Sequence, residues 1–194
     1  SKGRIIAGAL EGLKISLDTA VLRDIAGDIE WRKVQGYSLE EYREHRPARA
    51  GGLPGSLSLE VMLSIHERYE SLKDEQSRID FEDVLLACVG MLEEETRVRD
   101  RIQAQYGVFL VDEYQDVSPI QQRLLDAWLG KREDLVVVGD ASQTIYTFAG
   151  ASSSYLLDFA TRYPTASVIT LERNYRSSAD IVQAANHVIA GRPG

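Results

Sequence analysis

The sequence predicts an α/β fold in two unequal parts: helices over residues 1–79, then strands alternating with helices that build a parallel sheet. Three observations carry this. No β-rich run occurs before residue 80, whereas helix-capping signals recur there. Beyond residue 80, three short apolar runs at 108–111, 135–138 and 168–171 alternate with helical stretches, as strand–helix–strand units require. Each run also ends in polar or charged residues, and open α/β sheets collect their ligands at the carboxyl ends of the strands.

In the first part, Asp18 is placed to cap a helix whose apolar face uses Val21, Leu22, Ile25 and Ile29 at a 3.6-residue period. Ser38 and Glu41 form a capping box that starts another helix near Glu40. The stretch from Pro47 to Gly55 holds the Gly and Pro of a flexible loop, and Ser58 caps a helix with Met62, Ile65, Tyr69 and Leu72 along one stripe. No catalytic constellation is visible here, so these stripes are expected to pack on one another.

In the second part, Asp80 caps a helix from Phe81 to about Leu92, with Phe81, Val84, Leu85, Cys88 and Leu92 on its inward face, and a second helix covers about 97–105. The run Val108-Phe109-Leu110-Val111 reads as a strand buried on both faces that delivers Asp112 and Glu113 to its end. Ser118, Pro119 and Gln121 start a helix that ends at Gly130. A second buried strand over 135–138 closes in Gly139-Asp140, and a third over 168–171 closes in Glu172. Between these two, a helix from about Ser154 to Arg162 stops before Pro164; Ser177 then caps a last helix, with Ile181, Val182, Ala185 and Val188 facing inward.

Composition narrows the classes of function. A chain of 194 residues with 44% hydrophobic content suffices for a packed interior. No apolar run approaches a bilayer span and no secretory leader is apparent, so a cytoplasmic protein without membrane partners is expected. Cys88 is the single cysteine, read as a reduced, buried thiol, and the three histidines do not cluster, so neither disulfides nor zinc are expected. The formal charge of −8 argues against a broad nucleic-acid surface but leaves room for a narrow groove. Residues 80–194 hold 10 basic and 17 acidic groups, so nearly all of the excess acidity lies in the second part.

The chemistry concentrates at the three strand ends. An Asp-Glu pair suits a nucleotide triphosphatase, because Mg²⁺ takes hard oxygen ligands and the attacking water needs a base or orienting group beside it. A solvated acidic turn is the plain alternative for that pair taken alone. The second strand is followed by Asp140, Ser142, Gln143, Thr144, Tyr146 and Phe148, and the third by Arg173, Asn174, Tyr175 and Arg176. A Gln amide can sense a phosphate oxygen, an Arg can neutralise a phosphoryl group and a Tyr can stack on a base.

Taken together, Val111-Asp112-Glu113-Tyr114-Gln115-Asp116, Val138-Gly139-Asp140-Ala141-Ser142-Gln143-Thr144-Ile145-Tyr146 and Leu171-Glu172-Arg173-Asn174-Tyr175-Arg176-Ser177 resemble three consecutive motifs of the superfamily 1 DNA helicases of the UvrD/Rep/PcrA type. Ile79-Asp80-Phe81-Glu82-Asp83-Val84-Leu85-Leu86 is similar to the element that precedes the first of them. The resemblance covers about residues 79–190; residues 1–78 match by position only. It implies a helical 1B subdomain over 1–79, the later part of a RecA-like P-loop NTPase domain, 1A, over 80–171, and the start of domain 2A over 172–194. It further implies ATP and Mg²⁺ as cofactors, with Asp112 on the metal, joined by Glu113, which is also the catalytic base. Gln143 would contact the γ-phosphate, Tyr175 would stack on adenine and Arg176 would act as an arginine finger in cis. Tyr146 and Phe148 match positions that stack single-stranded bases. Implied partners are single-stranded DNA, 3′-tailed duplex DNA and repair proteins.

Two departures qualify the match. Ala149-Gly150-Ala151 stands where the family usually has Arg-Gly-Ala, which removes a charged contact. No G-x-x-x-x-G-K-[ST] phosphate loop occurs: Gly130-Lys131 is followed by Arg132, and 51–55 lacks a Lys. The expectation is therefore an internal piece of a larger 3′ to 5′ helicase that hydrolyses ATP negligibly alone. A subunit of a helicase–nuclease, or a non-catalytic module that binds DNA or a partner protein, are the alternatives.

Overall fold

The structure, a computed structural model, describes residues 1–16, 18–49, 51–147 and 150–190. The first part is built from α1 (Lys2–Gly12), α2 (Thr19–Gln35), α3 (Leu39–His45) and α4 (Leu59–Glu75), with short 3₁₀ turns at Arg46–Ala48 and Pro54–Ser56. The expected caps are present. Asp18 accepts the Val21 N–H at 2.9 Å, Ser58 Oγ accepts the Val61 N–H at 3.3 Å, and Ser38 and Glu41 satisfy each other's backbone donors. The predicted stripes form one core in which Ile25, Ile29, Met62, Ile65 and Tyr69 are fully buried, completed by Ile5, Ile6, Ala9 and Leu10 of α1.

The second part begins with α5 (Phe81–Glu94) and α6 (Thr96–Gln105), continues through β1 (Phe109–Val111), α7 (Pro119–Leu129) and β2 (Leu135–Val137), and ends with α8 (Ser154–Leu157), α9 (Phe159–Arg162) and α10 (Ala179–Ile189). Asp80 and Asp83 close a capping box at the start of α5, and Gln121 Oε1 accepts the Ser118 N–H at 2.9 Å at the start of α7. Gly130 ends α7 at φ +64, ψ −127, a conformation in which a Cβ would also strike the Gln103 amide at 2.7 Å. β1 and β2 pair in parallel, Phe109 with Leu135 and Val111 with Val137, and Phe109 stacks on Trp128 of α7. Val89 and Leu92 of α5 meet Ile120 and Leu124 of α7 in a second, smaller core.

The structure corrects several expectations. The strands are covered on one face only: Leu110 is 78% exposed, and Val108, Val136 and Val138 are also exposed. Residues 168–171 form no strand: among the described residues β1 and β2 pair only with each other, so this run has no ladder, and Leu171 is 84% exposed. The inward stripe of α5 is rotated towards Val89 and Leu92, which leaves Phe81 and Val84 exposed and Cys88 half-buried. The helix expected over 154–162 breaks at Asp158, whose backbone sits at φ −90, ψ 6. The last helix is capped by Ser178, not Ser177, since Asn174 Oδ1 accepts the Arg176 and Ser177 N–H groups and draws residue 177 into the preceding turn. Its expected inward face is not buried: Ile181 and Val188 are exposed. No helix among the described residues is long and apolar enough to cross a membrane.

The two parts are joined through buried charges on α2, α4 and α5. Lys33 donates to Asp80 at 2.6 Å and to Asp83, while Lys73 bonds Asp83 at 2.5 Å, Asp80 at 3.2 Å and Glu70 at 2.6 Å. Tyr69 Oη and Arg32 extend the network, to Asp80 at 2.9 Å and to Glu70 at 2.6 Å. Burial opposes the charge on Asp80, but the Lys33 hydrogen bond and charge, the Asp83 N–H and Tyr69 outweigh it and hold the carboxyl well below the usual carboxylate range.

Candidate functional site

β1 ends at Val111, and the next four residues turn sharply under the sheet. Glu113 adopts the left-handed conformation at φ 52, ψ 40, which for a residue with a Cβ costs about 1–2 kcal/mol. Local hydrogen bonds hold it there. Asp112 Oδ1 accepts the Glu113 N–H at 2.9 Å, the Glu113 carbonyl accepts the Asp116 N–H at 2.9 Å, and the Tyr114 N–H donates to Val138 O at 2.9 Å. Backbone strain of this kind concentrates at sites where a side chain must be aimed. Its result is that Asp112 and Glu113 are both exposed at the strand end, while Tyr114 and Gln115 turn inward and are buried.

Tyr114 anchors the turn from below. Its hydroxyl donates to Gln122 Oε1 at 2.6 Å, and its ring meets Phe159 edge-on at 5.9 Å. Burial pushes the Tyr114 hydroxyl up to about 12, so it stays a neutral donor at neutral pH. Gln115 spans the two strand ends: Nε2 donates to Glu113 Oε2 at 2.6 Å, and Oε1 accepts the Asp140 N–H at 3.0 Å. Asp140 in turn accepts from the Ser142 N–H and from Gln143 Nε2, both at 2.9 Å, which fixes the 3₁₀ turn Ala141–Gln143. Glu113, Gln115, Asp140 and Gln143 are thus linked by hydrogen bonds across the strand ends, through side chains except at the Asp140 backbone N–H.

Of the residues singled out by sequence, Asp112, Glu113 and Gln143 are brought together at one end of the sheet. Tyr146, half-exposed, lies just beyond the Gln143 turn. Tyr175 and Arg176 are exposed on the segment before α10, where Arg173 lies 5.1 Å over the Tyr175 ring; among the described residues no hydrogen bond or ion pair ties either to the Glu113–Gln143 group. Phe148 lies outside the described residues. The sequence placed Gln115 and Asp140 in the strand-end motifs but gave neither a role in the site. Gln115 sits two residues after the acid pair, and a polar residue expected to be buried beside a charged strand end is the signal that could have marked it.

The donor set at this end suits a hard divalent cation bound mostly through water and phosphate oxygens. Asp112 and Glu113 present exposed carboxylates, and among the described residues the buried Asp116 Oδ1 has no hydrogen-bond partner. Among the described residues no three His, Cys, Asp or Glu side chains converge as a self-sufficient metal cage. That pattern fits Mg²⁺, which typically uses one or two carboxylates and completes its shell with water and phosphate.

Comparison with known proteins places the chain in a family. Residues 14–164 match the family described as the UvrD/REP helicase N-terminal domain, and the chain belongs to that family. It is 44% identical over its whole length to the ATP-dependent DNA helicase UvrD2 of Mycobacterium tuberculosis (strain ATCC 25618 / H37Rv), of which it spans 28%. It is 30% identical over 95% of its length to the ATP-dependent DNA helicase PcrA of Bacillus subtilis (strain 168), spanning 24% of that protein. The putative ATP-dependent DNA helicase YjcD of the same organism is 37% identical over 64% of the chain, which there spans 16% of the relative.

Proposed function

We propose that this chain is part of the motor of an ATP-dependent 3′ to 5′ DNA helicase that acts on single-stranded DNA in repair or replication. The observation that carries the reading is the linked pair of strand ends, in which an exposed Asp-Glu pair and a polar turn bearing Gln143 are held in one hydrogen-bonded unit. In this reading residues 1–79 serve as the 1B subdomain, 80–171 as the later part of domain 1A, and 172–194 as the start of domain 2A. Asp112, with Glu113 beside it, holds Mg²⁺, which neutralises charge on the triphosphate. Glu113 accepts the proton of the attacking water, and Gln143 orients on the γ-phosphate. Arg176 supplies a positive charge to the transferring phosphoryl group when the second domain closes, and Tyr175 stacks on the adenine. Tyr146 and Phe148 offer π-faces to successive bases, a contact that tolerates any sequence.

The uncovered apolar sheet face supports the view that further parts of a longer protein cover it. The phosphate loop belongs to those parts, so the 194 residues alone turn over ATP negligibly. The test is ATP hydrolysis, with and without single-stranded DNA, by this chain and by a version extended to include a phosphate loop. DNA-stimulated turnover by the extended version alone, abolished in Glu113→Gln, is the expected result. Turnover by neither version would favour a non-catalytic binding module, and turnover by the short chain that Glu113→Gln abolishes would refute the assigned division of the site.

A further inference from the structure

We infer that Gln115 is a positioning residue for ATP hydrolysis, coupling the carboxylate of Glu113 to the Asp140–Gln143 turn. The inference rests on the reading of Glu113 as the group that handles the attacking water. Four features of the structure carry it. Gln115 is 1% exposed, so its amide cannot exchange partners with solvent. Both ends of that amide are used, and each on a different strand end: the donor faces Glu113 Oε2 at 2.6 Å and the acceptor faces the Asp140 N–H at 3.0 Å.

The third feature is the absence of a side chain at residue 139. A Cβ on Gly139 would lie 2.6 Å from Gln115 Oε1 and 3.3 Å from its backbone nitrogen, so the glycine makes the room in which the amide sits. The fourth is the left-handed backbone of Glu113, the bend from which its carboxylate meets the Gln115 amide. Only a side chain with a donor and an acceptor on one planar head, at this length, satisfies both partners. A hydrocarbon there leaves the Asp140 N–H without its acceptor and the Glu113 carboxylate without its tether.

The consequence is mechanical as well as local. Gln143 and Glu113 follow separate strands, yet a shift of the Gln143 turn moves Asp140, and through the Gln115 amide it moves the carboxylate that must meet the water. Gln115 therefore makes the state of the polar turn a condition for hydrolysis. It touches neither nucleotide nor metal in this role, and its loss is expected in kcat rather than in ATP affinity.

The experiment uses the full-length protein and two substitutions. Gln115→Met keeps the volume and removes both hydrogen bonds; Gln115→Glu keeps an acceptor for the Asp140 N–H but removes the donor facing Glu113, and tests the inference should the methionine variant fail to fold. Each is expected to lower DNA-stimulated kcat by about 10–100-fold, the range found for supporting and misplaced groups, with KM for ATP within about threefold of wild type. In a Glu113→Gln background the added loss from either substitution is expected to fall well short of its effect alone, because Gln115 acts through the group already removed. Wild-type kcat in folded Gln115 variants, or losses that multiply in full, would overturn the inference while leaving the function intact. Undiminished turnover in Glu113→Gln would instead overturn the reading on which it rests.

Discussion

Replacing Lys33 by Met tests whether the buried charges hold the helical part to α5. Lys33 is 2% exposed and shares its ammonium between Asp80 and Asp83, with Glu70 at 3.8 Å. Methionine fills much the same space without charge, so the loss is electrostatic. Breaking a buried pair by removing one partner costs about 3–5 kcal/mol. Lys73 remains bonded to both carboxylates, which puts the expected loss near the lower end, about 3 kcal/mol. Urea unfolding of the chain gives the number, and its two tryptophans report separately: Trp31 packs on the first core and Trp128 on the second. Adding Asp83→Asn, which removes the stranded charge, is expected to restore part of the loss. The pH dependence has a definite sign. Despite burial, which opposes their charge, Asp80 and Asp83 are held below their ordinary value by their Lys33 hydrogen bonds; their contribution is full above about pH 4 and is lost as pH falls through the depressed values. Lys73 is raised despite burial by its bonds to Asp83 and Glu70, so its contribution is full below about pH 10 and is lost as pH rises through the raised value. The difference between wild type and Lys33→Met should therefore be flat between those limits and shrink towards acid. A loss under about 1 kcal/mol at pH 7 would show that the network behaves as a solvated surface pair and does not hold the helical part to α5.

Two further outcomes follow from buried groups elsewhere. His66 is fully buried, 3.5 Å from Asp28 and 4.5 Å from the Tyr42 ring, with Arg46 and Arg49 on the same carboxylate and Arg32 and Glu70 nearby; burial pushes its pKa down. Its contribution is present above about pH 6.5 and is lost as pH falls through the depressed value, so His66→Phe should flatten the decline in stability below about pH 6.5, read by urea unfolding at each pH. Gly139→Ala should destabilise the chain by about 1–3 kcal/mol, since the new methyl displaces the Gln115 amide, and unfolding midpoints equal to wild type would count against that packing.

What the sequence made legible is what local chemistry decides. The Ser38–Glu41 and Asp80 capping signals, the Gln121 start of α7 and the Gly130 stop are each settled within a few residues, and the structure has them in place. The stripe on α4 was readable because its partners lie in the same helical region and bury it completely. The failures are non-local. Whether 168–171 becomes a strand depends on a neighbouring ladder, and whether Ile181 and Val188 face inward depends on a surface for α10 to cover; β-propensity and helical periodicity carry neither fact. Phe81 and Val84 fit the α5 stripe equally well on paper, but the position of α7 selects Val89 and Leu92.

The site divides along the same line. Asp112, Glu113 and Gln143 could be named because each lies in a strand-end motif that resembles one of a known family, and the sheet does bring those ends together. Gln115 could not be separated by type from any loop amide, because its role depends on what a parallel neighbour places opposite it. Parallel pairing sets Tyr114 N–H against Val138 O, and that one bond puts residue 115 beneath residues 139 and 140. A glycine at 139 then turns proximity into a fit. Two motifs far apart in the chain thus become one mechanical unit through an amide that carries no reactivity of its own. In such a unit, substitutions at 115 and 139 should affect turnover together and leave nucleotide binding largely alone, and that joint behaviour separates a linked site from two independent ones.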